Sequence, residues 1–150
     1  SQSPVTGNIS FGSRIGATPD GRAAGSPVNN GVSPANGSER SGATAACNSV
    51  GKIPTIWDQK GNIFNMRLAP SAIATEESRR KIVSMIRAFF GKDGQQIQFN
   101  VTDNETLKAA QKNPEEYSDL MVRVSGYSAL FTSLGESAQN DVINRTEVAL

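Results

Sequence analysis

Apolar and polar positions along the 150-residue chain fall into two regimes that meet near Gly51. Beyond Gly51 the pattern is regular. A turn at Lys60-Gly61-Asn62 precedes a short strand, Ile63 to Leu68. Ile82, Val83, Ile86, Phe89 and Phe90 then recur at helical spacing, with Met85 beside them, which predicts a helix from Glu76 to Phe90. Thr75 is its expected N-cap, Glu76 and Glu77 suit the positive end of the helix dipole, and Gly91 and Gly94 stop it. The stretch QIQFNV alternates, with Ile97, Phe99 and Val101 on one face and Gln96, Gln98 and Asn100 on the other. Asp103 is the expected cap of a helix holding Leu107, Ala109 and Ala110; Pro114 ends it and opens one further turn through Tyr117. Leu120 to Val124 reads as the next strand. A final helix starts at Gly135 or Glu136 and closes with VINRT, Val142 to Thr146. The order β-α-β-α-β-loop-α places the chain in the α/β class.

The first third is different. Residues 1–50 hold eight of the fourteen glycines, at 7, 12, 16, 21, 25, 31, 37 and 42, and few apolar side chains. Pro19-Asp20-Gly21, Asn30-Gly31 and Asn36-Gly37 mark turns. This segment reads as long loops laid over something else. We therefore divide the chain into a glycine-rich segment, 1–55, and a regular unit, 56–150.

Composition narrows the chemistry. Fifteen basic residues against fourteen acidic ones give no field to attract a polyanion, so no nucleic-acid partner is expected. No apolar run approaches membrane-spanning length and no leader pattern opens the chain, so no membrane partner is expected. A single cysteine, Cys47, fits a reducing, cytoplasmic setting. The chain has no histidine, so it cannot itself hold a Ser-His-Asp triad, a histidine zinc site or a Cys-His pair. No metal site is expected. The early glycines invite a phosphate loop, but neither GxxxxGK[ST] nor GxGxxG occurs. Trp57 reads as a packing aromatic, and Tyr117 as the anchor of the turn before the last strand.

One residue breaks the strand pattern. Gly126 follows the apolar strand and precedes a second short run, Ala129 to Phe131. On spacing alone the plainer reading is a bulge or tight reversal where only glycine tolerates positive φ. A second reading makes the α-carbon of Gly126 the reactive atom. Loss of a hydrogen atom there leaves a radical that the adjacent amide and carbonyl both delocalise. Delocalisation wants a planar centre, and a side chain would crowd it against the backbone.

The surrounding motifs decide between these. VRVSGY, residues 122–127, resembles the signature of the glycyl radical enzymes, and the stretch from Gly94 to Phe131 resembles the family's approach to its radical loop. QNDVINRTE, Gln139 to Glu147, resembles its C-terminal helix. GATPDGR at 16–22, NNGVSPANGSERSGATAACNSVGKIP at 29–54 and GNIFNMRLAP at 61–70 resemble upstream blocks, in the family's order. The likeness is to the pyruvate formate-lyase-like enzymes, in particular their dehydratase and lyase branch.

The resemblance implies the C-terminal part of a ten-stranded α/β barrel, with the radical glycine on a loop buried at the barrel's centre. Gly126 would carry the radical, and Arg123, Val124, Ser125 and Tyr127 would form its loop. No cofactor would be bound; the radical would be installed by a radical S-adenosylmethionine activating enzyme, which the loop swings out to meet. The stored electron would pass to a cysteine on a larger partner chain, in an oligomeric, oxygen-sensitive enzyme of an anaerobe, cytoplasmic or in a microcompartment. Cys47 lies in an upstream block and not in the family's cysteine loop, so it reads as a buried structural residue. Two alternatives stand beside this: an autonomous spare-part radical protein that repairs a damaged enzyme, and a non-catalytic interaction module. Arg123 is expected to pair with a carboxylate or to pin the C-terminal helix.

Overall fold

A computed structural model describes residues 7–54 and 63–148. The expected turn at Lys60 to Asn62, and Trp57, lie outside them. Two short helices occupy the glycine-rich part, α1 (Gly7–Gly12) and α2 (Ala43–Val50). Then follow β1 (Asn65–Leu68), α3 (Glu76–Phe90), β2 (Gln98–Val101), α4 (Asn104–Lys112), β3 (Met121–Arg123), β4 (Ser128–Leu130), α5 (Glu136–Asn144) and β5 (Glu147–Val148). The α/β class holds. A closed barrel is not seen: the described strands form a three-stranded parallel sheet, β2-β1-β5, and a separate antiparallel hairpin, β3-β4.

Local chemistry explains most boundaries. Thr75 caps α3 by accepting from the Ser78 amide at 3.1 Å, and the Ser78 hydroxyl accepts in return from the Thr75 amide. Asp103 caps α4 by accepting from the Thr106 amide at 2.6 Å. Pro114 ends α4 and starts a single 3-10 turn through Tyr117. Two expectations change. The glycine-rich part is not all loop: α2 buries Ala43, Ala46, Cys47 and Val50, a helical i, i+3, i+4, i+7 stripe of small side chains. The last helix is shorter than expected, because Arg145 leaves it in extended geometry so that Glu147 and Val148 can pair with β1.

The sheet separates two environments. Met66 and Leu68 of β1 join Phe64, α2 and the inner stripe of α3 (Ile82, Met85, Phe89) in one apolar core, with Ile97 and Phe99 packed beside them. Phe64 and Phe89 meet with ring centroids 5.7 Å apart. The other face is polar and still buried: Asn65 and Arg67 of β1 lie in register with Gln98 and Asn100 of β2. A second apolar core lies beyond it, built from Leu107 and Ala110 of α4, Val122 and Val124, Phe131, and Val142 of α5. Strand alternation alone sorts these side chains, since neighbours along a strand point to opposite faces. The alternation read in QIQFNV is therefore real, and its polar side is buried more deeply than its apolar one.

Arg67 joins the layers. Its guanidinium, almost fully buried, donates to Asn104 Oδ1 at 3.0 Å and to the carbonyls of Val142 and Ile143 at 3.3 and 3.1 Å, with Glu147 at 3.4 Å. A cation at the C-terminal end of α5 also suits the helix dipole. Burial lowers the Arg67 pKa and the Glu147 carboxylate opposes that shift. No helix among the described residues is long and apolar enough to cross a membrane.

Candidate functional site

Gly126 stands at the tip of the β3-β4 hairpin, where Arg123 pairs with Ser128 and the Val124 amide donates to the Tyr127 carbonyl at 3.0 Å. It is not among the glycines with positive φ. Among the described residues, a Cβ placed on it would meet Ile63 Cδ1 alone, at 3.4 Å, an ordinary contact. Neither backbone conformation nor space calls for glycine here. The tight reversal of the plainer reading is present, but without the positive φ that would have explained its glycine.

What holds the loop is polar. Gln98 Nε2 donates to the Ser125 carbonyl and to Asn65 Oδ1, while Gln98 Oε1 accepts from Arg123 Nε at 2.7 Å. Asn100 bonds both backbone groups of Arg123, donating to its carbonyl and accepting from its amide, each at 2.7 Å. From the glycine-rich part, Asn30 Nδ2 donates to the Val124 carbonyl at 3.3 Å, and Asn30 Oδ1 accepts from the Ser125 hydroxyl at 2.9 Å and from Asn65 Nδ2 at 3.2 Å. From beyond α5, Arg145 donates to the Val124 carbonyl at 2.6 Å and to the Arg123 carbonyl at 3.2 Å. Arg145 is held in turn by Asp141 at 3.0 Å, and Asp141 accepts from Asn8 Nδ2 at 3.1 Å. Val124 and Ser125 are buried, whereas Gly126 and Tyr127 are exposed in this chain.

The five residues of the expected loop therefore sit together, but one expectation about them changes. Among the described residues Arg123 pairs with no carboxylate and bonds nothing in α5: its side chain bonds Gln98 and, at 3.1 Å, the Ser128 hydroxyl. The pinning runs the other way, from Arg145 to the Arg123 carbonyl. Within this chain the loop is half covered: Val124 and Ser125 are buried and Gly126 is exposed. Sequence reasoning missed Asn30, Asn65, Gln98, Asn100 and Arg145 as supports. The polar half of QIQFNV was the available signal for two of them.

Cys47 is buried in the α2 core, against the sheet face opposite the loop. Desolvation, and then the Glu39 carboxylate, push its thiol up to about 11, so it is a poor nucleophile at neutral pH.

The glycine radical family model matches residues 28–132, a span that contains the whole Gly126 turn. The chain belongs to the glycine radical family. It is 44% identical over 146 residues to the probable dehydratase YbiW of Escherichia coli, covering 97% of this chain and 18% of that protein. It is 43% identical over 144 residues to the trans-4-hydroxy-L-proline dehydratase of Clostridioides difficile, covering 96% and 18%. Among solved structures, the glycerol-bound B12-independent glycerol dehydratase of Clostridium butyricum superposes with a TM-score of 0.92 at 51% identity, over 95% of this chain and 18% of that one. The chain thus spans under a fifth of the length of these glycine radical relatives. Its fold is the fold of that portion.

Proposed function

We propose that this chain is the radical-bearing portion of a glycyl radical dehydratase or other lyase, and that Gly126 is the radical carrier. One observation carries the reading: within a family motif, the hairpin keeps a glycine at a position where the backbone would accept alanine. A hydrogen atom leaves the Gly126 α-carbon to a radical S-adenosylmethionine activating enzyme. The unpaired electron then rests on the backbone, shared with the flanking amide and carbonyl. Passing it on takes a hydrogen atom from a cysteine, which becomes the thiyl that attacks substrate and restores the Gly126 C–H. That cysteine belongs to a larger partner chain or segment of a ten-stranded barrel, because Cys47 is buried on the far side of the sheet. The exposed side of Gly126 and Tyr127 is where that barrel would close over the loop.

The alternative of a free-standing spare part is less favoured, since GATPDGR and the 29–54 block match further upstream than a bare radical domain needs, and Asn30 from that block holds the loop. The test is chemical. Protein activated without oxygen and then exposed to air parts at Gly126, because dioxygen adds to the carbon radical there. Mass spectrometry of the fragments places the break, and the Gly126→Ala chain stays whole. An activated chain that survives air intact contradicts the reading.

A further inference from the structure

The Gly126 hairpin is closed by only half of its expected bonds. The Val124 amide donates to the Tyr127 carbonyl, yet the reciprocal bond, Tyr127 amide to Val124 carbonyl, is not made. The Val124 carbonyl is instead taken by Arg145 and Asn30, and the neighbouring Arg123 carbonyl by Arg145 and Asn100. In an ordinary two-residue hairpin the chain would supply both bonds itself. Here the loop's shape is imposed from outside, by side chains 94 and 21 positions away.

We propose that Arg145 is a positioning residue that keeps the Val124 carbonyl out of the hairpin's own ladder, and that its release lets the turn close on itself and hands Gly126 to the activating enzyme. Two loop states follow. In the clasped state Arg145 bonds the Arg123 and Val124 carbonyls and Gly126 is held for exchange with the cysteine. In the released state the Tyr127 amide bonds the Val124 carbonyl, so the carbonyl is never left without a donor. Release also leaves no bare charge, because Asp141 stays paired with Arg145. Space is at hand: a cavity of about 40 Å³, lined by Asn30, Glu39, Asn65, Arg67, Asp141 and Arg145, adjoins the clasp. That is room for about three waters to solvate the freed guanidinium. Holding backbone with a charged donor suits such a switch, since these bonds are strong while made and water can replace them.

This inference rests on the radical reading only for what the switch is for; the switch itself is read without any radical. In the complete, unactivated enzyme, hydrogen exchange resolved to single amides compares wild type with Arg145→Gln, and with Arg145→Lys, whose single ammonium cannot span both carbonyls. The expected result is specific. Exchange at the Tyr127 amide slows about tenfold in Arg145→Gln, the equivalent of gaining about 1.4 kcal/mol of protection, and slows less in Arg145→Lys. General loosening would speed exchange across the hairpin. Tyr127 exchange that is unchanged or faster in both variants overturns the clasp. Should Arg145→Gln misfold, Asp141→Asn, which weakens the aim of the guanidinium, carries the same expectation at smaller size. With the activating enzyme added, the paramagnetic signal grows several-fold faster in Arg145→Lys than in wild type, and equal rates also count against the clasp. Slowed Tyr127 exchange with no signal in wild type would sink the radical reading and leave the clasp standing.

Discussion

Gly31 and Gly126 both lie against Ile63, and they are glycines for opposite reasons. Gly31 has φ +61°, and a Cβ there would fall 2.2 Å from the Ile63 carbonyl oxygen, the acceptor for the Val32 amide at 3.0 Å. No other residue fits that turn without moving backbone. Gly126 has no positive φ and, among the described residues, only Ile63 Cδ1 at 3.4 Å from where its Cβ would stand. The first glycine is required by the fold. The second is permitted by it, and the proposed radical chemistry supplies a reason for it. A structural glycine is recognised by what a methyl group would strike, and a chemical one by the absence of any such obstacle inside a family motif.

Substitutions can break or sharpen that contrast. Phe131, fully buried below the hairpin, should cost about 3–5 kcal/mol as Phe131→Ala, and chemical denaturation will read it. A hairpin that tolerates this loss would not owe its stability to the apolar core beneath. Gly31→Ala should cost about 3 kcal/mol, from left-handed backbone strain plus displacement of the Ile63 carbonyl. A loss below about 1 kcal/mol would erase the distinction between the two glycines. Removing the α4 cap as Asp103→Ala should cost about 1 kcal/mol. The capping bond to Thr106 lowers the Asp103 pKa, so the carboxylate's contribution is present above its unfolded pKa and fades as pH falls through the lower folded value. Gly126→Ala should change stability least, by about 1 kcal/mol or less in either direction, while abolishing the radical.

Much of this was readable in advance, and the omissions have a common cause. The α3 stripe, the caps Thr75 and Asp103, and the stop at Pro114 are local signals, legible because each is decided within a few residues, although Val83 and Phe90, read into the stripe with Ile82, Ile86 and Phe89, are exposed. The α2 stripe was missed because Ala43, Ala46 and Cys47 are small and sit among turn-rich sequence. β5 is two residues long and exists only because β1 is there to pair with it. Alternation put Gln98 and Asn100 on one face of their strand but could not say what that face meets; here they turn inward to satisfy the Arg123 and Ser125 backbone. Arg145 and Asn30 act on a loop 21 and 94 positions away, and no spacing rule reaches that far.

The most direct test of the account is electron paramagnetic resonance of the anoxically activated enzyme. A carbon-centred doublet, split by the one hydrogen left on the Gly126 α-carbon, is expected in wild type. The same signal should broaden when glycine is carbon-13 labelled at that atom and vanish in Gly126→Ala. A doublet that survives Gly126→Ala, or wild type that stays silent beside its activator, would contradict it.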